Sequence, residues 1–369
     1  MAADWHAHAG RLANYLADNV LTDPEWLAVF SDAPRHEFGP SGLTVDHNGR
    51  VVDSSKWSRR QRLRHSYSDQ VMVTRFERGP DGNETPQATS SVSQPVIVAA
   101  MLELLEVEPG TKVLEIGTGP GYNACLLSMR LQPELVYTLD VQEDVVAEAR
   151  ANLARVGVKP HVAVGDGAQG WPEHAPYDRI IATCALPRIP YAWLTQLAPA
   201  ARVVAPMDIG ALLAVLDRQD DGRLEGGFST DGAYFMAMRS DTVSPDTHVY
   251  VGNANVQSMS VNVGVEVFSD LEFQLWLELW LEDVTIKPVI SHATSYVIGT
   301  PQGRVEISFD STQGIVTQYG TPLWDRISVA LDSWLAHGRP GRERLGFTVT
   351  PNSQHIWLDE PDSELSWPL

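Results

Sequence analysis

A short segment that could hold a ligand runs from Lys112 to Asn123 and reads KVLEIGTGPGYN. Its apolar start, Val113–Ile116, predicts a buried strand. Three glycines follow at alternating positions, and a helical pattern begins at Tyr122. A strand, a glycine turn and a helix in this order expose backbone N–H groups to a ligand, because glycine has no Cβ to keep the ligand away. The glycines are Gly117, Gly119 and Gly121.

Glu115, near the end of this strand, limits by its charge the kind of ligand that the glycine turn could bind. Its carboxylate would repel a pyrophosphate but would attract a cation. S-adenosylmethionine carries an ammonium and a sulfonium group and no phosphate, so it fits a site that contains this residue. The glycine spacing is G-x-G-x-G rather than the G-x-G-x-x-G of dinucleotide sites. An NAD site and an ordinary strand-to-helix turn are the alternatives.

Two acidic residues further along the chain extend the predicted cofactor site. Asp140 ends a second apolar strand, where an acid is placed to accept hydrogen bonds from ribose hydroxyls. Asp166 follows a third strand and is placed to accept a hydrogen bond from the adenine amino group. The predicted cofactor-binding residues are Glu115, Gly117, Thr118, Gly119, Tyr122, Asp140, Val141, Asp166 and Gly167.

A basic island lies between Lys56 and His65 in an otherwise acidic chain. It includes Arg62 and Arg64, together with Arg59 and Arg60. One interpretation is a solvated surface with salt bridges, because runs of charged residues usually form such a surface. The other is a clamp for a substrate carboxylate or an acidic peptide, because guanidinium groups bind carboxylates in a bidentate manner.

The elements around the glycine turn alternate between strand and helix, which predicts a parallel, doubly wound α/β sheet. Helical patterns before Pro34 predict a cover over one side of this sheet. The segments 211–216 and 233–238 predict a closing β-hairpin. These elements place the glycine turn and both downstream acids at the carboxyl ends of neighbouring strands.

A polar stretch with a proline, Ser240–Asp246, predicts a domain boundary. We expect a first domain over residues 1–240, in which residues 1–90 supply the cover and a substrate loop. Residues 247–369 are expected to form a smaller α+β domain for substrate recognition. Within it, the alternation from Val261 to Val267 predicts a strand, and a helix rich in tryptophan follows.

The composition argues against several classes of protein. The chain has 369 residues and a net charge of −20. It therefore lacks the excess of positive charge that binding to a nucleic-acid backbone requires. It has no apolar run long enough for a membrane span, and its start lacks the features of a secretory signal. Cys125 and Cys184 lack metal-type spacing and are expected to be small core residues. We expect a cytoplasmic protein, without a metal site, that binds neither nucleic acid nor membrane.

Several short motifs, taken in order, resemble those of the protein-L-isoaspartate O-methyltransferase family. The resemblance extends from about Leu12 to Met238, which covers most of the predicted first domain. The matching segments are Ala33–Phe38 (APRHEF), Tyr67–Asp69 (YSD), Ser91–Pro95 (SVSQP), Val113–Tyr122, Gly165–Gly167 and Ala175–Ile181.

The resemblance implies a Rossmann-like class I methyltransferase fold, with an N-terminal helical cover and a smaller C-terminal α+β domain. It implies S-adenosylmethionine as cofactor and S-adenosylhomocysteine as product. By the same resemblance, Ser91 and Ser93 are the catalytic residues, which hold the acceptor carboxylate. The expected substrate-binding residues are Val92, Tyr67, Thr183, Arg62 and Arg64.

The sequence departs from the family pattern in a few places. Asp140 stands where glutamate is usual, and Ala200-Ala201 where two glycines are usual. The loop between Phe38 and Tyr67 is longer than in the family, and the C-terminal part lies outside the basic pattern. These last features resemble the branch that methylates a normal aspartate in ribosomally made, cyclised peptides, often the products of an ATP-grasp ligase.

The sequence therefore predicts a carboxyl O-methyltransferase that acts, as a monomer, on an aspartate of such a precursor peptide. The methyl ester would then collapse to an aspartimide. A carboxylate is already ionised near pH 7, so the reaction requires no general base. Two alternatives remain: an enzyme that repairs isoaspartate in proteins, and a non-enzymatic scaffold that binds the cofactor and presents a precursor to a ligase.

Overall fold

The computed structural model describes residues 4–78, 86–239, 252, 256–281, 284–288, 295–309 and 314–369. The predicted boundary at Ser240–Asp246 lies outside these residues. Among the helices described, none combines the length and apolar composition needed to cross a lipid bilayer.

Three helices and two small hairpins precede α4 and the central sheet. Asp23 accepts a hydrogen bond from the Glu25 backbone N–H, and the second helix begins at Pro24. The basic island forms a third helix, which starts with a reciprocal capping box between Ser58 and Gln61. The elements are α1 (Asp4–Asn19), α2 (Pro24–Asp32), β1 (Leu43–Val45), β2 (Val51–Asp53), α3 (Arg59–Ser66), β3 (Met72–Arg78) and β4 (Pro86–Val92).

The glycine-turn strand β5 is the central one of five parallel strands, in the spatial order β7-β6-β5-β8-β9. β9 continues the sheet parallel to β8, and β10 and β11 follow as antiparallel strands. The elements of this region are α4 (Pro95–Leu105), β5 (Val113–Ile116), α5 (Tyr122–Arg130), β6 (Val136–Asp140), α6 (Glu143–Val156), β7 (His161–Val164), β8 (Tyr177–Ala182), α7 (Tyr191–Leu194), β9 (Leu197–Pro206), β10 (Leu213–Arg218) and β11 (Leu224–Phe228).

The prediction of a hairpin between residues 211–216 and 233–238 is wrong. β10 pairs with β11 across a polar turn at Asp220–Gly222, because that turn brings the two apolar segments on either side of it into register. The segment 233–238 instead makes an isolated bridge between Ala185 and Ala237 and crosses the end of the sheet.

The remaining residues build a second sheet and then return to the first one. The elements are β12 (Gln257–Val261), α8 (Val265–Ser269), α9 (Leu271–Trp280), β13 (Thr285–Pro288), β14 (Ser295–Gly299), β15 (Gly303–Phe309), β16 (Gly314–Gly320), α10 (Trp324–Ala336), β17 (Leu345–Val349), β18 (Gln354–Leu358) and β19 (Ser366–Pro368). β12–β16 form a five-stranded antiparallel sheet. The predicted strand from Val261 to Val267 is therefore half wrong, since α8 begins at Val265.

The last three strands extend the first sheet to ten strands, because β17 pairs antiparallel with β11. The expected assignment of residues 345–368 to a separate domain thus differs from the observed pairing. Gln354, which is buried, also exchanges two hydrogen bonds with the backbone of Ile189, in the loop after β8. The apolar core on this face runs without interruption from Leu114 and Val203 of the first sheet to Trp276 and Val305.

The opposite face of the sheet carries a separate core. It joins α1, α2, α4 and α5 through buried side chains that include Trp26, Phe30, Met101 and Leu126. This is the helical cover that the spacing of apolar residues before Pro34 predicts. It leaves the carboxyl ends of β5 and β6 open.

We expect a chain shortened to residues 1–339 to aggregate. Without β17–β19, β11 becomes an open edge, and the core side chains of Phe347, Val349 and Ile356 are lost. The soluble fraction on expression and the molar mass by light scattering measure this outcome. A monomeric 1–339 protein with cooperative unfolding would show that the last strands are dispensable.

Candidate functional site

A crevice of about 240 Å³ opens at the carboxyl ends of β5, β6 and β8, and the strand order reverses between β5 and β8. Four stretches of chain supply much of its lining: the glycine turn after β5, the turn between β4 and α4, the residues that follow Asp140, and the segment Tyr234–Arg239. We name the second of these, Ser91–Pro95, the serine turn. The glycine turn and the serine turn therefore face one cavity.

The backbone of the glycine turn needs glycine at each of its three positions. The φ angles are 94° at Gly117, 49° at Gly119 and 97° at Gly121. A Cβ at Gly117 would lie 2.9 Å from Thr183 Oγ1, and a Cβ at Gly119 would lie 3.4 Å from the Ser91 carbonyl oxygen. The glycines thus let the end of β8 and the serine turn approach the same turn.

Glu115 is completely buried at the base of the crevice. Its Oε1 accepts a hydrogen bond of 2.8 Å from Asn123 Nδ2, whereas its Oε2 has no partner among the described residues. Burial raises the pKa of the Glu115 carboxyl to about 7. An unpaired acceptor in such a place favours a ligand that brings a cation or a hydrogen-bond donor.

Three other buried polar atoms of the crevice lining also lack partners among the described residues. They are Thr89 Oγ1, Tyr122 OH and Asn123 Oδ1. Buried polar groups are nearly always hydrogen-bonded in folded proteins, so this group indicates a polar ligand. Together with Glu115 they fit a cationic molecule better than a phosphate.

Asp140 supports the glycine turn as well as lining the crevice. Its Oδ2 accepts a 3.0 Å hydrogen bond from the Gly119 N–H, and its Oδ1 accepts one of 3.2 Å from the Gln142 N–H. Asp166 caps a short 3-10 turn by accepting from the Ala168 N–H at 2.9 Å, and it does not line the crevice. The other predicted cofactor residues line it: Gly117, Thr118, Gly119, Tyr122, Val141 and Gly167.

Ser91 and Ser93 both line the crevice and are half-buried. Within the described residues, no hydrogen bond engages either hydroxyl group, so both can donate to a ligand. Val92, between them, is buried and lines the same cavity. The serine turn therefore presents two free hydroxyls across the cavity from the glycine turn.

Arg35 and Asp69 hold the serine turn in place. The buried guanidinium of Arg35 donates to the carbonyl oxygens of Ser66, of Gln70 at 2.8 Å and of Ser93 at 3.0 Å. Burial lowers the pKa of Arg35 to about 10, so the group is still charged at neutral pH.

Asp69 accepts hydrogen bonds from the Val96 N–H at 2.9 Å and from Gln94 Nε2 at 2.7 Å. Residues of the motifs APRHEF and YSD thus both form hydrogen bonds with residues of the motif SVSQP. Neither Arg35 nor Asp69 was predicted to belong to the site, although their place in these motifs was the available signal.

The other predicted substrate residues lie in different environments. Thr183 lines the crevice, and its hydroxyl donates to the Gly117 carbonyl at 2.6 Å. Tyr67 is buried outside the crevice, with its hydroxyl 2.8 Å from His36 Nδ1. Arg62 and Arg64 are exposed on α3 and do not line the cavity.

The segment Tyr234–Arg239 forms a wall of the crevice that the sequence analysis did not anticipate. The Ala185 N–H donates to the Met236 carbonyl at 2.9 Å, and the Met238 N–H donates to the Ala185 carbonyl at 2.8 Å. Tyr234 is 76% exposed at the rim. Arg239 donates to the Thr89 carbonyl and lies 3.9 Å from Glu77. No local sequence pattern predicts the position of this segment, because that position depends on pairing with a distant loop.

The family model described as "Protein-L-isoaspartate(D-aspartate) O-methyltransferase (PCMT)" matches residues 50–240. A protein-L-isoaspartate O-methyltransferase of Anaeromyxobacter dehalogenans is 45% identical over 137 residues, which are 36% of this chain and 65% of that protein. The enzyme of the same name from Methanoregula boonei is 36% identical over 218 residues, which are 57% of this chain and 85% of that protein. The chain thus spans just under two thirds of the first relative and most of the second.

A solved structure titled protein-L-isoaspartate O-methyltransferase shares the fold, with a TM-score of 0.55 and 22% identity. The superposition covers 95% of this chain and 99% of that one. The C-terminal residues are therefore included in the shared fold, which confirms the predicted Rossmann-like class I methyltransferase architecture.

We expect Glu115→Gln to stabilise the ligand-free protein at pH 8. The folded pKa of about 7 exceeds the ordinary value of 4.5, so the folded protein binds more protons between these values and its free energy of unfolding falls as pH rises. Removing the buried charge should raise that free energy by about 3 kcal/mol at pH 8, and by less at pH 5. Urea unfolding at both pH values measures the difference, and an equal effect at pH 5 and pH 8 would contradict it.

We expect Arg35→Met to lower the free energy of unfolding by about 3 kcal/mol or more, because several buried carbonyl oxygens lose their donor. Arg11→Met, at an exposed position of α1, is the matched control and should change it by less than about 0.5 kcal/mol. Urea unfolding followed by tryptophan fluorescence gives both values. Similar losses in the two variants would refute the role assigned to Arg35.

Proposed function

Because the chain belongs to the protein-L-isoaspartate(D-aspartate) O-methyltransferase family, we propose that it methylates an aspartyl-type carboxylate of a peptide or protein. S-adenosylmethionine is the cofactor of the family. The observation that carries the proposal is the crevice itself. It has an unpaired buried acid on one side and two free serine hydroxyls on the other.

The residues of the crevice fit S-adenosylmethionine by the chemistry of their donors and acceptors. Glu115 Oε2 and Asn123 Oδ1 are unpaired acceptors, which suit an ammonium group. Asp140, at the end of β6, would accept hydrogen bonds from the ribose hydroxyls. The crevice lining near the glycine turn contains two acids, Glu115 and Asp140, whose negative charge would disfavour a pyrophosphate. When bound, the cofactor supplies an electrophilic methyl group on a sulfonium.

The acceptor carboxylate requires orientation rather than activation. A carboxyl with an ordinary pKa of about 4 is ionised at neutral pH. In agreement, the described residues that line the crevice include no histidine. Ser91 and Ser93 would donate hydrogen bonds to one carboxylate oxygen, which leaves the other free to attack the methyl carbon in line with the departing sulfur. The C–S bond breaks as the new O–C bond forms.

Alignment of the two reactants is then the main contribution of the protein. Arg35 and Asp69 fix the backbone of the serine turn, and Gly119 lets that turn approach the glycine turn closely. Apolar side chains such as Val71, Ile97 and Leu139 line other parts of the cavity and would reduce the contact of the bound reactants with water.

We propose isoaspartate as the first candidate acceptor, since the relatives carry the name of that activity. On this proposal the enzyme acts in repair of damaged proteins. The methyl ester is a better acyl donor than the carboxylate, so the amide nitrogen of the next residue attacks it, expels methanol and closes a succinimide. This second step uses no group of the enzyme.

The second candidate acceptor is a normal aspartate in a cyclised, ribosomally made precursor, such as the product of an ATP-grasp ligase. The observation that favours it is a second cavity of about 190 Å³ beside the crevice. Leu271, Leu275 and Glu278 of α9 line this cavity together with Tyr234 and Phe235, and the last two also line the crevice. A substrate longer than a few residues would therefore touch the C-terminal part of the chain.

Mass spectrometry with S-adenosylmethionine and three peptides tests the proposal. The peptides are an isoaspartyl hexapeptide, its aspartyl isomer and a cyclised precursor. Gain of one methylene unit by the isoaspartyl peptide alone supports repair. A methylene gain followed by net loss of one water from the cyclised precursor alone supports the second candidate. If calorimetry detects cofactor binding but no peptide changes mass, the protein is a scaffold and the proposal fails.

We expect Ser91→Ala and Ser93→Ala each to lower kcat about 10- to 100-fold, because each variant removes a hydrogen bond to a charged group. Affinity for S-adenosylhomocysteine should stay within about twofold, since neither serine belongs to the predicted cofactor set. Ser258→Ala, at an exposed position of β12, is the matched control and should leave kcat unchanged. A normal kcat in both serine-turn variants would remove these residues from the mechanism.

A further inference from the structure

The helix α3 carries a concentrated positive charge in a chain whose net charge is −20. From Ser54 to Ser68 the sequence contains no aspartate or glutamate, but it contains one lysine and four arginines. The comparisons and the crevice leave this feature without a role.

The arginines Arg60, Arg62 and Arg64 are exposed on α3. In the part of the chain that the structure describes, none of the three has an ion pair, so the interpretation as a salt-bridged surface does not hold for them. Arg60 and Arg64 lie one helical turn apart on one flank, and Arg62 lies on the other. Like charges at this spacing destabilise an isolated helix, so the helix holds three cations that repel each other.

The structure fixes this cationic helix firmly. The capping box between Ser58 and Gln61 satisfies backbone donors at its start. Leu63 and Ser66 are buried on its inner side. The arginine side chains therefore extend from a rigid helical backbone rather than from a flexible loop. Less conformational entropy of the backbone is lost when these side chains bind a partner.

The last turn of α3 lies beside the serine turn. The guanidinium of Arg35 bridges the two, since it donates to the carbonyl oxygens of Ser66 and Ser93. The eight residues of α3 span about 12 Å at 1.5 Å per residue. An extended peptide covers about 3.3 Å per residue. A substrate whose acceptor lies at the serine turn thus brings residues only a few positions away into reach of the arginines.

We propose that Arg60, Arg62 and Arg64 bind acidic side chains of the peptide or protein substrate, a few residues from the methylated carboxylate. This inference rests on the proposed function. The acceptor is itself an anion, and the protein as a whole repels anions. The positive field of α3 offsets that repulsion locally and steers an acidic segment towards the crevice.

Binding of two labelled peptides to the protein with S-adenosylhomocysteine tests the inference. Both peptides have a central isoaspartate and the same length. One has three glutamates on each side, and the other has glutamines there. We expect fluorescence anisotropy to show about tenfold tighter binding of the glutamate peptide at low salt, with the preference shrinking as salt is raised.

The triple variant Arg60→Gln, Arg62→Gln, Arg64→Gln should lose this preference and keep its affinity for the glutamine peptide. The triple variant Arg11→Gln, Lys159→Gln, Arg326→Gln is the matched control. It removes the same charge from exposed positions elsewhere and should keep the preference. Glutamine forms helices well, so α3 is expected to remain folded. Circular dichroism and urea unfolding check this.

Equal binding of both peptides to the wild-type protein would overturn the inference, and so would an equal loss of preference in both triple variants. Methylation of the same peptides separates this result from the proposed function. If the glutamate peptide binds preferentially and neither peptide is methylated, α3 is an acidic-segment site and the proposed acceptor is wrong. If both peptides are methylated with equal kcat/KM, the acceptor is right and the role of α3 is wrong.

Discussion

The buried guanidinium of Arg35 is the constraint on which the site depends. The serine turn and the glycine turn belong to distant parts of the chain, and their separation must be fixed if a donor and an acceptor are to align between them. Arg35 holds the serine turn in place by donating to carbonyl oxygens of Ser66, Gln70 and Ser93. Its guanidinium carbon also lies 5.7 Å from the ring centroid of Tyr122, directly after the glycine turn. A buried charge that is hydrogen-bonded on several sides tolerates few other arrangements, because any displacement leaves a donor or a carbonyl unpaired.

Glu115 shows that the crevice is arranged for a ligand rather than for stability. A buried carboxyl whose pKa is raised to about 7 destabilises the folded protein at neutral pH. Its unpaired Oε2 and the unpaired atoms of Thr89, Tyr122 and Asn123 line one cavity. Strain of this kind is common at functional sites, where a bound molecule supplies the missing partners.

The C-terminal third of the chain is more closely integrated than a boundary near residue 240 suggests. β17 pairs with β11 along the edge of the first sheet, and Gln354 of β18 bonds to the Ile189 backbone. Trp276 of α9 packs against Trp367 of β19 at 5.1 Å between ring centroids. The second sheet is thus held to the first through a shared core, and its helix α9 reaches the cavity beside the crevice.

The sequence by itself determined the features that are local in the chain. The strand, the glycine turn and the acid of residues 113–121 were predictable because a short apolar run and glycines at fixed spacing restrict a few adjacent residues. The place of Asp140 followed from the end of the neighbouring strand, and the role of the serine turn followed from the resemblance of its motif to that of the family. Tertiary structure alone decided the roles of Arg35 and Asp69, the wall Tyr234–Arg239 and the return of β17–β19 to the first sheet. Each of these depends on hydrogen bonds between residues that are far apart in the chain, and no local spacing specifies which distant carbonyl a side chain or strand will meet.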